Sequence, residues 1–270
     1  MNKIFFKKEY FPKHDENHME NEGDVALARD EFLKSRFINL DFLLRSRYDW
    51  MNDYLESDRV IIEVGAGAGF SPLYLSEPVT LTDAVNNPWI DKYVDAVDID
   101  YPDNSVDVII ASHTIHHFYN PAKFFKESQR VLKANGVILI SEINTSLMMR
   151  ILLKVLRHEG YSYDVNVFDY DAVVNDPSDL WSANCAVPEL LFSDVQKFEK
   201  FFPNFKVERN DLYECFIFPL SGGVISKTKV PKLPLAILKI TDFIDKVLIK
   251  LLPSIFALGR RVVIRKTDLH

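Results

Sequence analysis

The run Glu63-Val64-Gly65-Ala66-Gly67-Ala68-Gly69 follows the apolar Val60-Ile61-Ile62 and sets three glycines at alternate positions directly after a buried strand. A strand, a glycine turn and then a helix bring bare backbone against a ligand, and the place at a strand end points to a nucleoside-like cofactor. The spacing narrows the choice. A dinucleotide fingerprint needs Gly-x-Gly-x-x-Gly, but here the third glycine falls one residue early and Phe70 takes its place. No Gly-Lys-Ser/Thr follows, which excludes a phosphate-cradling P-loop. A second carboxylate, Asp83, ends the run Val79-Thr80-Leu81-Thr82. An acid there can accept from both vicinal hydroxyls of a ribose.

Further along, Ser112 and His113 leave the strand-like Val108-Ile109-Ile110-Ala111, and Glu142 leaves Val137-Ile138-Leu139-Ile140. Ligands of such sheets lie beyond the carboxyl ends of the strands, so all three should face the cofactor. His113 is the candidate base or acceptor contact, and Glu142 is a further catalytic candidate. His113 shares a helical face with His116 and His117 at i+3 and i+4, and the alternative is that these histidines hold the loop by hydrogen bonds. The three also invite a metal. However, His-x-x-His-His supplies no fourth ligand and adjacent side chains point apart, so no metal is expected. His158-Glu159 is another catalytic candidate, and Tyr161 and Tyr163 could stack on a sugar or anchor the loop.

Over residues 59–145 these motifs resemble the class I S-adenosylmethionine-dependent methyltransferases. The likeness rests on acidic-x-Gly-x-Gly-x-Gly at Glu63 to Gly69, on Val94-Asp95-Ala96, on Tyr101-Pro102-Asp103-Asn104-Ser105-Val106-Asp107, and on Arg130-Val131-Leu132-Lys133-Ala134-Asn135-Gly136 before a strand. It implies S-adenosylmethionine as cofactor, with Gly65, Ala66, Gly67 and Gly69 against the methionine part and Glu63 organising the loop. Asp83 would meet the ribose, Asp95 and Ala96 the adenine, and Ser112 the reaction site. There are two departures. Only eleven residues separate Asp83 from Asp95, which leaves almost no helix between those strands, and Ala134-Asn135 replaces Pro-Gly.

A looser likeness, in His158-Glu159-Gly160-Tyr161 and Pro219-Leu220-Ser221-Gly222-Gly223, is to members that accompany bacterial surface-polysaccharide or glycolipid assembly. It implies a sugar hydroxyl as acceptor, on a lipid-linked carrier. A methyltransferase for an aromatic or quinone-like small molecule, and a cofactor-binding module without catalysis, stay open as alternatives.

The elements that must hold these residues are legible in outline. With 270 residues and 47% hydrophobic content the chain fits one α/β domain. Strands at 59–64, 79–83, 106–111 and 136–141 have βα spacing, Phe205 to Asn210 and Cys215 to Phe218 are strand-like, and Arg261 to Lys266 would make a reversed edge strand. A Rossmann-like doubly wound sheet of about seven strands is therefore expected. A helical cap over 1–57 leads into a cofactor core over 58–143, an acceptor-side segment over 144–204, and closing strands over 205–270 with a helical insertion at 230–258.

Composition sets further bounds. Cys185 and Cys215 form no Cys-x-x-Cys pair and read as buried residues of a reducing cytoplasm. Ile4-Phe5-Phe6 is too short for a signal peptide. Net charge is −7, yet residues 221–270 carry ten Lys or Arg against three Asp, leaving −14 on the rest. The acidic body speaks against nucleic acid as a partner. The insertion puts Ile237, Leu238, Ile240, Phe243, Ile244, Val247, Leu248, Leu251 and Leu252 on one broad face, with Lys239, Lys246 and Lys250 elsewhere on the helix and Lys232 before them. Such a helix either lies on an anionic membrane at the inner face, or buries its apolar face by packing on the sheet or roofing the acceptor pocket.

Overall fold

The computed structural model describes residues 8–12, 24–157, 159–179, 181–225 and 228–267. A short strand β1 (Glu9–Tyr10) precedes α1 (Val25–Ser35) and α2 (Ile38–Tyr48), and a 3-10 helix covers Asp49–Tyr54. Asp24 caps α1 by accepting from the Leu27 amide at 2.9 Å. Phe32, Leu40, Leu43, Leu44 and Met51 from this segment are buried with Ile61, Val108, Ile110 and Leu139. These helices thus cover one face of a sheet.

That sheet begins with β2 (Ile61–Val64), β3 (Thr80–Asp83), β4 (Lys92–Tyr93) and β5 (Val106–Ser112). After α3 (Pro121–Val131) comes β6 (Leu132–Ile143). These strands run parallel in the order β4-β3-β2-β5-β6. Their Val and Ile runs suit strands covered on both faces. Asn120 caps α3 through the Lys123 amide, and Phe124, Phe125 and Val131 seal the second face.

Beyond β6 the chain forms α4 (Leu147–Leu156), β7 (Tyr161–Ser162), α5 (Val187–Phe192) and α6 (Val195–Phe201). β7 pairs with β1. The closing part is β8 (Phe205–Tyr213), α7 (Ile217–Ser221), α8 (Leu235–Leu251), α9 (Pro253–Phe256) and β9 (Gly259–Lys266). β9 runs antiparallel to both β6 and β8, giving seven strands in the order β4-β3-β2-β5-β6-β9-β8. This is the expected Rossmann-like α/β fold, with its reversed strand next to the edge strand β8.

Three local expectations need correction. The glycine loop leads into a single 3-10 turn, Ser71–Leu73, instead of a full helix. Pro72 can start a helix, but Pro78 six residues on cannot continue one. Cys215 to Phe218 is not a strand: Asp245 of α8 accepts from the amides of Cys215, Phe216 and Ile217 at 2.9–3.0 Å and turns the backbone into α7. Lastly, α8 does not bury its broad apolar face. Leu238, Asp245 and Ile249 point inward, while Ile237, Ile240, Phe243, Ile244, Val247 and Leu251 are exposed, Phe243 by 67% and Leu251 by 69%.

Candidate active site at the strand ends

Between β2 and β3 the glycine loop is held from several sides. Gly65, Gly67 and Gly69 all have left-handed backbone, at φ 63°, 53° and 61°. A Cβ on Gly65 would lie 1.9 Å from Thr114 Oγ1, whereas one on Gly67 would meet nothing within 4 Å. The loop is therefore packed from below at Gly65 and open above Gly67, as a backbone that receives a ligand must be. The Ala66 amide donates to the Thr82 carbonyl at 3.0 Å, and Trp89 Nε1 donates to the Gly67 carbonyl at 2.8 Å. Arg29 of α1 reaches the carbonyls of Ala68 and Gly69.

Glu63 is buried beneath this loop. It accepts from Tyr48 Oη at 3.1 Å and from Ser71 Oγ. Burial, only partly offset by those two hydroxyls, pushes its carboxyl up to about 7. Asp83, at the end of β3, is half-buried, and it accepts from the Gly67 amide at 2.7 Å and from the Val85 amide at 2.8 Å. Each oxygen keeps a further lone pair. Asp95 accepts from the Val97 amide at 3.0 Å next to the buried Ala96. A turn replaces a helix between β3 and β4, as the short spacing implied.

The histidine segment differs from its helical reading. Only Ile115–His117 is helical, as one 3-10 turn, and His113 precedes it in left-handed backbone at φ 52°. The three histidines therefore do not share a helical face. The cause is Glu142: fully buried, it accepts from the amides of Thr114 at 2.7 Å, Ile115 at 2.6 Å and Ile143 at 3.0 Å, and from His116 Nδ1 at 2.7 Å. Burial works against this carboxylate, but His116 and the amides outweigh it and hold the pKa below the usual range. Glu142 fixes the turn and has its oxygens committed to the chain.

His113 is bonded through its backbone, its amide donating to the Ser141 carbonyl at 2.7 Å. Its Nε2 is buried without a hydrogen-bond partner. Burial, then Arg47, lowers its pKa well below 6.5, so the ring is neutral. Ser112, half-buried at the end of β5, lies within reach of Tyr48. His158 falls outside the described residues, and Glu159 faces His116 and His117. Tyr161 is buried in a core cluster, and Tyr163 bonds Thr145, Glu189 and Arg150, so both serve as anchors.

These features coincide with what is known of other proteins. Residues 62–140 match the family model described as a methyltransferase domain. Among solved structures, an S-adenosylmethionine-dependent methyltransferase from Archaeoglobus fulgidus is similar at 16% identity and a TM-score of 0.51, with 88% of this chain and 99% of that chain covered. Another, from Methanosarcina mazei, is 16% identical at a TM-score of 0.47, with 82% and 99% covered. Residues 62–140 thus form a methyltransferase domain, an enzyme domain whose cofactor is S-adenosylmethionine. No curated protein matches it in sequence.

The loop of this domain has a geometry that fits the cofactor, through the open space above Gly67 and the acceptor capacity of Asp83. Sequence reasoning missed the residues that brace the loop. Arg29, Tyr48, Ser71 and Thr114 carry no motif, and only the fold brings them together.

Proposed function

We propose that this methyltransferase methylates a hydroxyl of a small molecule or glycan carried at an anionic membrane surface. The carrying observation is His113, whose buried, unpartnered Nε2 belongs to a neutral ring held in an unfavourable backbone conformation at the end of β5. A neutral imidazole with a free lone pair is a proton acceptor, and a hydroxyl acceptor needs one. Bound S-adenosylmethionine supplies an activated methyl on a sulfonium. Gly65, Ala66, Gly67 and Gly69 would receive its methionine part, Asp83 its ribose, and Asp95 and Ala96 its adenine. Ser112 would meet the reacting end. His113 Nε2 takes the proton of the acceptor hydroxyl, and Glu142 positions the turn that follows.

The membrane part rests on α8. Its outward face is a stripe of Ile237, Ile240, Phe243, Ile244, Val247 and Leu251, and the exposed Lys239, Lys246 and Lys250 line one side of it. Ile151, Val155 and Leu156 of α4, against which α9 packs, extend the exposed apolar surface. Apolar residues flanked by lysines suit an anionic headgroup layer. No helix among the described residues is long and apolar enough to cross a membrane. Incubation with methyl-labelled cofactor and a cell extract separated into polar, glycan and lipid pools tests the acceptor. Label in the glycan or lipid pool is expected; label confined to an aromatic or quinone-like product would replace this reading.

A further inference from the structure

We propose that His116, His117 and Glu159 form a binding site for a divalent cation of the zinc class, with one coordination position open to an oxygen ligand. Glu159 comes from the segment after α4, 42 residues beyond His117. The fold closes that distance: the Cys185 amide donates to the Gly160 carbonyl at 2.9 Å, and the amide of Asn184 and the side chain of Asn175 both donate to the His116 carbonyl, at 2.9 and 2.8 Å. The three candidate ligand atoms lie within 4.8 Å of one another. His116 Nε2 is 3.7 Å from one Glu159 oxygen and His117 Nε2 is 3.7 Å from the other. These are ion-pair contacts, longer than the usual direct hydrogen bond. They are close to the roughly 3.3 Å between ligands of a tetrahedral ion with bonds of about 2.0–2.1 Å.

The outer contacts favour the same reading. A histidine ligand usually gives its second ring nitrogen to a carboxylate or a backbone carbonyl, which fixes the tautomer and aims the other nitrogen at the ion. Here His116 Nδ1 meets Glu142 at 2.7 Å and His117 Nδ1 meets the Ser182 carbonyl at 3.2 Å, so both Nε2 atoms turn toward Glu159. Glu159 is itself steadied by the Cys185 thiol at 3.1 Å. The rings of the two neighbouring histidines lie 4.3 Å apart, because the turn is 3-10 and its first amides are held by Glu142. That overturns the expectation that adjacent histidines point away from each other. Two imidazoles and one carboxylate leave a fourth position of a tetrahedral ion free.

An oxygen ligand in that position would give up its proton more readily, so an acceptor hydroxyl held there would be activated. That role rests on the hydroxyl reading; the ion site does not.

The test uses the full chain, freed of metal by chelator and titrated with Co²⁺ as a coloured substitute for zinc. One equivalent should bind with visible d–d absorption and be displaced by Zn²⁺. His117→Ala and Glu159→Gln should each weaken binding by more than the roughly 10- to 100-fold that loss of an outer support costs. S-adenosylhomocysteine affinity, measured on the same samples, should stay unchanged and certifies the fold of each variant; if one variant loses it, the other decides. Co²⁺ affinity equal in wild type and variants would overturn the site. Metal binding without any methylated hydroxyl product would instead overturn only the acceptor reading.

Discussion

Two side chains separate catalysis from support at the scale of single residues. His113 is neutral and unpartnered, so His113→Ala should lower turnover by about two to four orders of magnitude while cofactor affinity is kept, the usual loss for one proton-transfer group. Single-turnover kinetics with separately measured affinity checks this; an unchanged rate would remove the base. Glu63 carries a different signature. Its folded pKa of about 7 lies above the ordinary 4.5, so the folded chain holds this proton more tightly than the unfolded one. The resulting stabilisation is complete below about pH 4.5 and is lost as pH rises through about 7. Glu63→Gln stays neutral throughout. Wild type should therefore fall relative to the variant by roughly 3 kcal/mol between those pH values. Thermal unfolding from pH 4 to 8 measures it, and parallel curves would mean that folding does not raise the pKa of Glu63.

At the scale of elements, legibility followed the range of the interactions. β2, β3 and β5 were readable because runs such as Val60-Ile61-Ile62 and Val108-Ile109-Ile110 can only be buried strands beside Gly and Asp punctuation. The glycine loop was readable because its constraint is local. The turn after His113 was not, because Glu142 from the next strand sets it. Nor was α7, which depends on Asp245 thirty residues away. The meeting of Glu159 and Cys185 with the histidines has no sequence signal at all, since it follows from the packing of three separate loops.

The exposure of α8 also belongs here. Its apolar periodicity was visible, but which face turned outward was not. Sedimentation with vesicles should show binding to anionic but not neutral lipid, weakened by salt and by Gln in place of Lys232, Lys239, Lys246 and Lys250. Equal indifference to both lipids would leave the helix without a membrane role.

The whole molecule joins an acidic cofactor-binding body to a basic, apolar-faced closing region, with the candidate site at the strand ends of β2, β3, β5 and β6. The charge split gives that assembly a direction: the surplus of seven positive charges after residue 220 lies in the region that carries α8. Everything upstream depends on the loop binding S-adenosylmethionine and not a dinucleotide. Calorimetry of S-adenosylhomocysteine against the wild type, Gly67→Val and Asp83→Ala is the most direct measurement. Binding is predicted for the wild type. It should be abolished in Gly67→Val, where a side chain would enter the open space in a disfavoured backbone region. In Asp83→Ala it should weaken by roughly 1.5–3 kcal/mol, the worth of hydrogen bonds to a charged group. Tight binding of NAD with none of S-adenosylhomocysteine would contradict the account.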